Sequence, residues 1–433
     1  MTNTDIEHEI AERFAEVNKN VGLGVHDFTA GKEVTFDDPN TPIVIVSCDG
    51  SGPLKGHVFK TKGIAELRNI LLNDKPQDGP AIRALQKLQE DMGEVTLGDM
   101  RPDLVAQPGD VDEARLLKAR MEKLASVFAF GGLGVPERTL EEIDSVLFPS
   151  QLTAYTGNKL VLGPGTTLVI DGLEPIVLNF SYVEMAASAR IAVYSKASLF
   201  FGQVTITDQT SGKDAKDGPQ ILIAGEPYSA PEAQTGAVGA TPEQPKDAEA
   251  GKSFFDKEIG KYICTRKPEH GREGLPGAQG GQGAEGGPGR NLQAANVDII
   301  ATVGQPLHLM VKGGSGQDGG DGGQGGTGGP GGFPGFTPTG CASSPQGISG
   351  PGGRGGAGGN GGDGSQIVDP VRVVKRDTAH IETEVLAGQG GAGGSGGAGG
   401  LSPDGNGDGG SGPAGAPGKL GATPSVIPAR SLT

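Results

Sequence analysis

Glycine recurs at every third position in four runs of the C-terminal third, and this register constrains the fold more than any other feature. The 433-residue chain contains 79 glycines, against a usual share near 7%. Between Gly313 and Phe333, seven consecutive triplets begin with glycine, and six of them also have glycine second. The other runs are Gly271–Gly289, Gly352–Gly364 and Gly390–Gly421. Because a flexible linker has no reason to keep such a register, the sequence indicates an ordered structure with three residues per turn.

Three residues per turn is the period of an extended left-handed helix, in which every third residue lies on one face. Two faces of a GGX helix carry only hydrogen, so backbones can approach closely, and their buried N–H and C=O groups must pair between helices. Ordering seven triplets costs on the order of 20–40 kcal/mol in backbone entropy, so the runs must support one another. We therefore predict a polyglycine II helix bundle over residues 271–421. Disorder and a collagen triple helix are the alternatives for such a composition.

The predicted scaffold positions share the first place of a triplet in the second, third and fourth runs. They are Gly313, Gly316, Gly319, Gly322, Gly325, Gly328, Gly331, Gly355, Gly358, Gly361, Gly393 and Gly396. The third places carry small polar residues such as Asp321 and Thr327, which suit an outer face in contact with solvent.

The first 150 residues are predicted to form a mixed α/β or mostly helical domain. Apolar residues recur at helical spacing near the N-terminus, from Ile6 to Val17. Residues 43–49 (IVIVSCD) indicate a buried strand. Further helices are predicted at residues 64–72, 81–92, 111–130 and 140–148.

The middle of the chain changes period. Short β-branched runs over residues 151–225 predict a short-strand all-β domain, either a solenoid or a sandwich. Residues 226–270 are rich in Pro, Ala, Glu and Gln, which predicts a linker or long loop. Paired β runs precede two glycine runs, so β-hairpins are predicted to accompany the bundle of residues 271–421. Residues 422–433 form a C-terminal tail.

Charge and hydropathy exclude several classes of partner. The chain has 36 basic and 52 acidic residues, a net charge of −16, which repels phosphate backbones and anionic membranes. We therefore expect no nucleic-acid partner, and no membrane insertion because no run approaches 18 apolar residues. The charged N-terminus does not resemble a signal peptide, so the expected location is cytoplasmic, particle-borne or reached by non-classical export. Three scattered cysteines predict no disulfide framework.

The motifs of common chemistries are missing from the sequence. No phosphate-binding loop is complete, and Cys264 with His270 does not match a zinc spacing. The acidic triplets around Asp318 lack the spacing of a calcium loop. The sequence therefore predicts no catalytic residues, no metal site and no cofactor.

The GGX runs resemble the glycine-rich tip adhesins of T-even-like phage long tail fibres and the glycine-rich antifreeze proteins of snow fleas. The adhesin resemblance covers about residues 271–421. It implies a structural or adhesive protein whose loops bind a protein or glycan receptor, or attach it to a larger particle; a homo-oligomer is left open. The implied binding residues lie in residues 401–408 and in one longer loop, at Phe333, Phe336, Thr337, Thr339 and Ser343.

Alternatives to the adhesin prediction remain open. Phe333 and Phe336 are equally compatible with a cap on the bundle end. The second resemblance implies ice binding. An enzyme or toxin with its chemistry in residues 1–260 is the third alternative, and a concave pocket lined by converging His, Asp or Glu side chains would favour it.

Overall fold

The computed structural model describes residues 3–23, 33–38, 42–47, 49–50, 53–73, 121–126, 128–130, 137–207, 218–405 and 407–430. Its described helices are α1 (Asn3–Asn20), α2 (Ile64–Leu72) and α3 (Glu137–Leu147), and residues 121–126 are also helical. The predicted helix over residues 64–72 is confirmed, as are the N-terminal helix and the helix near residues 140–148. The predictions for residues 81–92 and for most of 111–130 lie outside the described residues.

Two sheets organise the strands, and we call them sheet A and sheet B. In spatial order, sheet A contains β1 (Glu33–Phe36), β4 (Ser150–Leu162), β6 (Ile176–Ala186), β8 (Ala197–Thr207), β12 (Ala295–Val303), β14 (Val371–Lys375) and β16 (Val426–Arg430), with β3 (His57–Thr61) also pairing with β4. Sheet B contains β15 (Ile381–Leu386), β13 (Leu307–Lys312), β9 (Ile221–Ala224), β7 (Arg190–Val193), β5 (Thr167–Asp171) and β2 (Ile43–Ser47).

Neighbouring strands in both sheets are parallel, apart from the antiparallel pair of β3 and β4. From β4 onward, the strands of the two sheets alternate along the chain, so each strand pairs with strands one winding earlier and later. Leu199 of β8, for example, pairs with Leu178 of β6 and Val297 of β12.

Aliphatic side chains fill the space between the sheets. Strand β13 shows the pattern clearly, because Leu307, Leu309 and Val311 are fully buried while the residues between them are partly exposed. The same buried cluster includes Leu199 and Ile221. Each such side chain contributes roughly 1.5–3 kcal/mol when it leaves water, so this cluster stabilises the winding.

The helices pack on the other face of sheet A. Helix α1 contacts β6, β8 and β12, and α2 contacts β8. A second buried cluster joins them, including Ile70 and Phe130 from the helical side and Phe200 from the sheet. Arg13 of α1 pairs with the buried Asp298 of β12. The order of layers is therefore helices, sheet A and sheet B, which is an α/β-like arrangement.

The predicted fold class is wrong. Two parallel sheets of eight and six strands, with helices on one of them, define the fold instead of a polyglycine II helix bundle beside a separate short-strand domain. The paired runs are not hairpins either, because β12 and β13 lie in different sheets, as do β14 and β15. A local pattern of two apolar runs is the same in a hairpin and in a winding, so the sequence did not distinguish them.

The glycine-rich stretches are long extended connections that leave sheet B and return to sheet A. We number them by their position in the chain: segment 1 (231–250), segment 2 (268–291), segment 3 (313–335), segment 4 (345–365), segment 5 (387–401) and segment 6 (409–422). Odd-numbered segments follow β9, β13 and β15, and even-numbered segments lead to β12, β14 and β16.

Backbone hydrogen bonds join the segments at every third residue. Gly319, Gly322 and Gly325 of segment 3 donate to carbonyls of segment 5, at 2.8–2.9 Å, and the two segments are parallel. The neighbouring Gly320 and Gly323 donate to segment 2, which is antiparallel. The triplet register of the sequence is thus the register of this hydrogen bonding. Odd-numbered segments lie together in one layer and even-numbered segments in another.

Close approach explains why glycine fills these positions. A Cβ added to Gly322 would lie under 3.0 Å from the Gly356 carbonyl oxygen, and one added to Gly323 would be as close to that of Ala237. Two aspartates in the third places of triplets also accept hydrogen bonds from a neighbouring segment. The Asp321 carboxylate accepts a hydrogen bond from the Ser395 amide at 2.7 Å, and Asp318 accepts one from Ala392 at 2.6 Å.

Candidate functional site

The far end of segments 1 to 4 carries two connections that lie against each other. Strands β10 (Lys252–Asp256) and β11 (Lys261–Arg266) form an antiparallel hairpin between segments 1 and 2. Residues 336–344 connect segments 3 and 4. We call the hairpin together with residues 333–344 the aromatic tip.

Covalent and backbone contacts hold the two connections of the aromatic tip together. Cys264 of β11 forms a disulfide with Cys341, which contradicts the prediction drawn from the scattered cysteines. The Gly251 amide donates to the Phe336 carbonyl at 2.9 Å. A disulfide restricts the unfolded chain and fixes neighbouring segments. The connections therefore present their side chains in a set arrangement.

Six large apolar side chains of the aromatic tip remain in contact with solvent. They are Phe254, Phe255, Ile259, Tyr262, Phe333 and Phe336, and their exposed fractions range from 48% to 75%. Phe255 and Tyr262 form an edge-to-face pair with ring centroids 5.1 Å apart. Exposed apolar groups that gather in one place mark binding surfaces in soluble proteins, whereas single ones do not.

The five binding residues predicted in the longer loop belong to the aromatic tip. Phe333 and Phe336 are 53% and 75% exposed, Thr339 and Ser343 are exposed, and Thr337 is half-buried. Phe336 therefore covers little of the segment ends, whereas about half of Phe333 is buried and remains compatible with a cap. These positions remain predictions as binding residues.

Sequence reasoning missed the hairpin, because residues 226–270 were predicted to be a linker or loop. Two signals were present in the printed sequence. The run Lys252–Asp256 and the run Lys261–Arg266 flank a turn that contains Gly260. The Asp256 carboxylate accepts a hydrogen bond from the Glu258 amide at 2.8 Å, as turn aspartates commonly do.

An ion-pair cluster stands at the base of the hairpin. Arg266 pairs with Glu249 of segment 1 and with Glu269 of segment 2. The hydrogen bond and charge of Arg266 hold the pKa of the Glu249 carboxyl below its usual value. The Glu249 carboxyl therefore stays ionised near neutral pH, and the two ion pairs fix the guanidinium group between the segments.

The second predicted binding loop, residues 401–408, connects segments 5 and 6, and residues 403–404 within it form a turn. Leu401 is 61% exposed. The Asp404 carboxylate accepts a hydrogen bond from the Ser349 amide at 2.7 Å, and this bond lowers the pKa of Asp404. Asp404 therefore ties this turn to segment 4.

A cleft of about 1220 Å³ lies at the opposite end of the segments, between the helical side and the ends of the sheets. Its charged lining includes Glu122, Asp171, Glu174, Lys196 and Glu226. No histidine is among the described residues that line it.

Burial changes the titration of the lysines near this cleft. It lowers the pKa of Lys196, although the charges of Glu122 and Glu174 oppose the shift. Burial and the charge of Lys196 together lower the pKa of Lys123 to about 8, even though Lys123 pairs with Asp369. Perturbed groups in a cleft are candidates for function, and buried ion pairs also produce them.

Comparison with protein-family models, with curated proteins and with solved structures finds no match to this chain. Within the residues that the structure describes, no helix is both long and apolar enough to span a membrane. The described residues also contain no group of three or more His, Cys, Asp or Glu side chains placed to hold a metal ion. The function must therefore be argued from the aromatic tip and the cleft.

Proposed function

We propose that this chain is a structural or adhesive protein whose glycine segments carry the aromatic tip to a receptor, a glycan or a partner subunit. The observation that supports this most is the group of six exposed apolar side chains on two connections joined by the Cys264–Cys341 disulfide. Holding binding side chains in place before contact reduces the entropy lost on association. Connections on a rigid scaffold commonly carry function.

The segments suit this role because the backbone, and not a side-chain core, fixes them. Most of their side chains are small, so they offer little for specific recognition along their length. Recognition therefore falls to the ends of the segments, where large side chains return. Aromatic residues dominate the energy of many interfaces, so Phe333, Phe336 and Tyr262 are the first positions to test.

The test compares a double variant, Phe333→Ser with Phe336→Ser, against the unchanged full chain. Binding of both proteins is measured to three immobilised surfaces: neutral glycans, acidic glycans and the unchanged chain. We expect the unchanged chain to bind at least one of these surfaces and the double variant to lose most of that binding while its melting temperature stays the same. Val303→Ser is the matched control, because Val303 is 47% exposed and lies on β12, outside the aromatic tip. Equal binding by the double variant would reject the proposal.

The cleft supports a second candidate, an enzyme with its chemistry among the acidic residues of the sheet ends. Its four lining carboxylates meet part of the expectation for a concave pocket lined by acids, although Glu226 is paired with Arg290. Paired carboxylates catalyse glycoside hydrolysis when one donates a proton. Release of reducing ends from a polysaccharide by the unchanged chain, lost in Glu174→Gln and kept in the Phe333 and Phe336 double variant, would favour this candidate. No release from any polysaccharide tried would count against it.

A further inference from the structure

The hairpin of the aromatic tip is basic in a protein that is otherwise acidic. Residues 252–267 contain five basic and two acidic residues, a net charge of +3, whereas the whole chain carries −16. Four of the basic residues are exposed lysines: Lys252, Lys257, Lys261 and Lys267. Within the described part of the chain, none of the four takes part in an ion pair.

The other charged groups of the hairpin are largely occupied. Arg266 is held between Glu249 and Glu269. The Asp256 carboxylate accepts the Glu258 amide within the turn. The turn also exposes Glu258, but the four exposed lysines outnumber it, so an approaching partner meets a net positive charge.

These lysines lie far from the acidic residues of the sheets and helices, which we call the body. Segment 3 spans residues 313–335, and an extended chain rises about 3 Å per residue, which places its ends roughly 60 Å apart. The Debye length at physiological ionic strength is about 8 Å, so most of the negative charge of the body is screened at the aromatic tip. The acidic residues next to the hairpin in sequence are Asp247, Glu249, Glu269 and Glu273. Glu249 and Glu269 pair with Arg266, and the more distant acidic residues add little repulsion to an anionic partner at the hairpin.

The exposed cations are lysines and not arginines, and this difference indicates the chemical class of the partner. Protein interfaces are enriched in arginine and depleted in lysine. Arginine also suits a single carboxylate or phosphate bound through two hydrogen bonds, whereas lysine acts as a hydrated point charge. Four lysines without an available arginine therefore fit many separate anionic groups better than one protein patch.

The spacing of the lysines suits a polymeric ligand with repeated anionic groups. Lys252 and Lys257 lie on one side of the turn, and Lys261 and Lys267 on the other. At about 3.4 Å per residue along a strand, each pair spreads over roughly 15–20 Å. The strand register places Lys257 beside Lys261 at the turn and Lys252 beside Lys267 at the base. A small anion would reach one of these two pairs, while a polymer with repeated anionic groups would reach both.

We infer that the aromatic tip binds an acidic polysaccharide, whose carboxylate or sulfate groups meet the four lysines while its sugar rings lie against the exposed aromatic side chains. This inference rests on the proposed function and names the class of its ligand. Phe254, Phe255 and Tyr262 lie on the same hairpin as the lysines and provide exposed apolar surface there.

The experiment uses dextran sulfate and neutral dextran of equal length as probes for the full chain. One variant replaces Lys252, Lys257, Lys261 and Lys267 by Gln, and its matched control replaces the same four residues by Arg. We expect binding of dextran sulfate and not of dextran, at least a tenfold loss of affinity in the Gln variant, and recovery in the Arg variant. Counterion release by four lysines should weaken binding on the order of tenfold to a hundredfold between 50 mM and 200 mM salt.

Three results would overturn the inference: equal binding of dextran and dextran sulfate, unchanged affinity in the Gln variant, or binding of vesicles with anionic lipid in place of the polysaccharide. The Phe333 and Phe336 double variant separates this from the proposed function. If that variant loses binding to a neutral glycan while the Gln variant keeps it, the proposed function stands and the acidic ligand is wrong. If the unchanged chain binds no surface, the proposed function itself fails.

Discussion

The two sheets and the glycine segments are held together by opposite means. Between the sheets, large side chains such as Leu199 and Phe201 fill the interior and the strands stay far enough apart to accommodate them. Between the segments, the near absence of side chains allows carbonyls and amides of neighbouring segments to meet, as where the Gly356 amide donates to the Gly323 carbonyl at 2.8 Å. The sheets lose stability when atoms are removed, and the segments lose it when atoms are added.

Because of this difference, the sheets and segments act as the support, and recognition is left to the aromatic tip. A core packed by side chains tolerates long connections at its edges, because loop closure costs little extra free energy as a loop lengthens. The connections of this chain acquire order of their own through hydrogen bonds among six segments. They carry the aromatic tip away from the sheets, and the large side chains that the segments lack reappear there.

Adding atoms to a segment should have the largest effect. In Gly322→Val, the new Cβ would collide with the Gly356 carbonyl, and the segments on both sides would have to separate. Overpacking and lost hydrogen bonds together should cost about 5 kcal/mol of unfolding free energy. Thermal and denaturant unfolding measure this. Gly410→Val is the control, since nothing lies within 4 Å of a Cβ at Gly410; equal losses in the two variants would show that close approach is unimportant.

Removing atoms from the sheets should have the next largest effect. Leu199→Ala would leave a cavity in the buried cluster between the sheets, at a cost of about 2–5 kcal/mol. The exposed Leu401 provides the control, because Leu401→Ala removes the same atoms from a side chain that is 61% exposed. A Leu199→Ala variant as stable as the control in denaturant unfolding would contradict the packed interior.

Removing a third-place side chain should have the smallest effect, and that effect should depend on the hydrogen bond. Asp321→Ala removes the acceptor of the Ser395 amide, which should cost about 1 kcal/mol or less at this exposed position. Thr327→Ala removes an exposed side chain that donates or accepts no hydrogen bond among the described residues, so we expect almost no change. If precise melting curves show the same shift for both variants, the hydrogen bond to Ser395 contributes nothing.

Local pattern was enough to predict single elements. The helix over residues 64–72 has the predicted bounds, and the region predicted to contain short strands, residues 151–225, contains β5 and β6. Apolar periodicity depends on neighbouring residues, so one sequence contains that information. The triplet register likewise identified which glycines approach a neighbouring backbone.

The sequence alone did not predict which distant residues pair with each other. Strand β8 pairs with β12, and between them the chain passes through segments 1 and 2. No spacing rule links Leu199 to Val297. The same limit hid the Cys264–Cys341 disulfide, because the two cysteines meet only after segments 2 and 3 have been placed side by side. Part of the aromatic tip was therefore predicted from its loop, and the hairpin beside it was not.

Amide hydrogen exchange across residues 319–329, resolved by residue, tests most directly whether backbone hydrogen bonds order the segments. In each triplet from Gly319 to Gly329 the two glycine amides donate to other segments, as at Gly322 and Gly323, whereas the amides of Asp321, Gln324 and Thr327 donate no hydrogen bond among the described residues. We predict a repeating pattern in which two slowly exchanging amides are followed by one fast amide, with the slow ones as protected as amides in β8. Exchange of all these amides at random-coil rates would contradict the account.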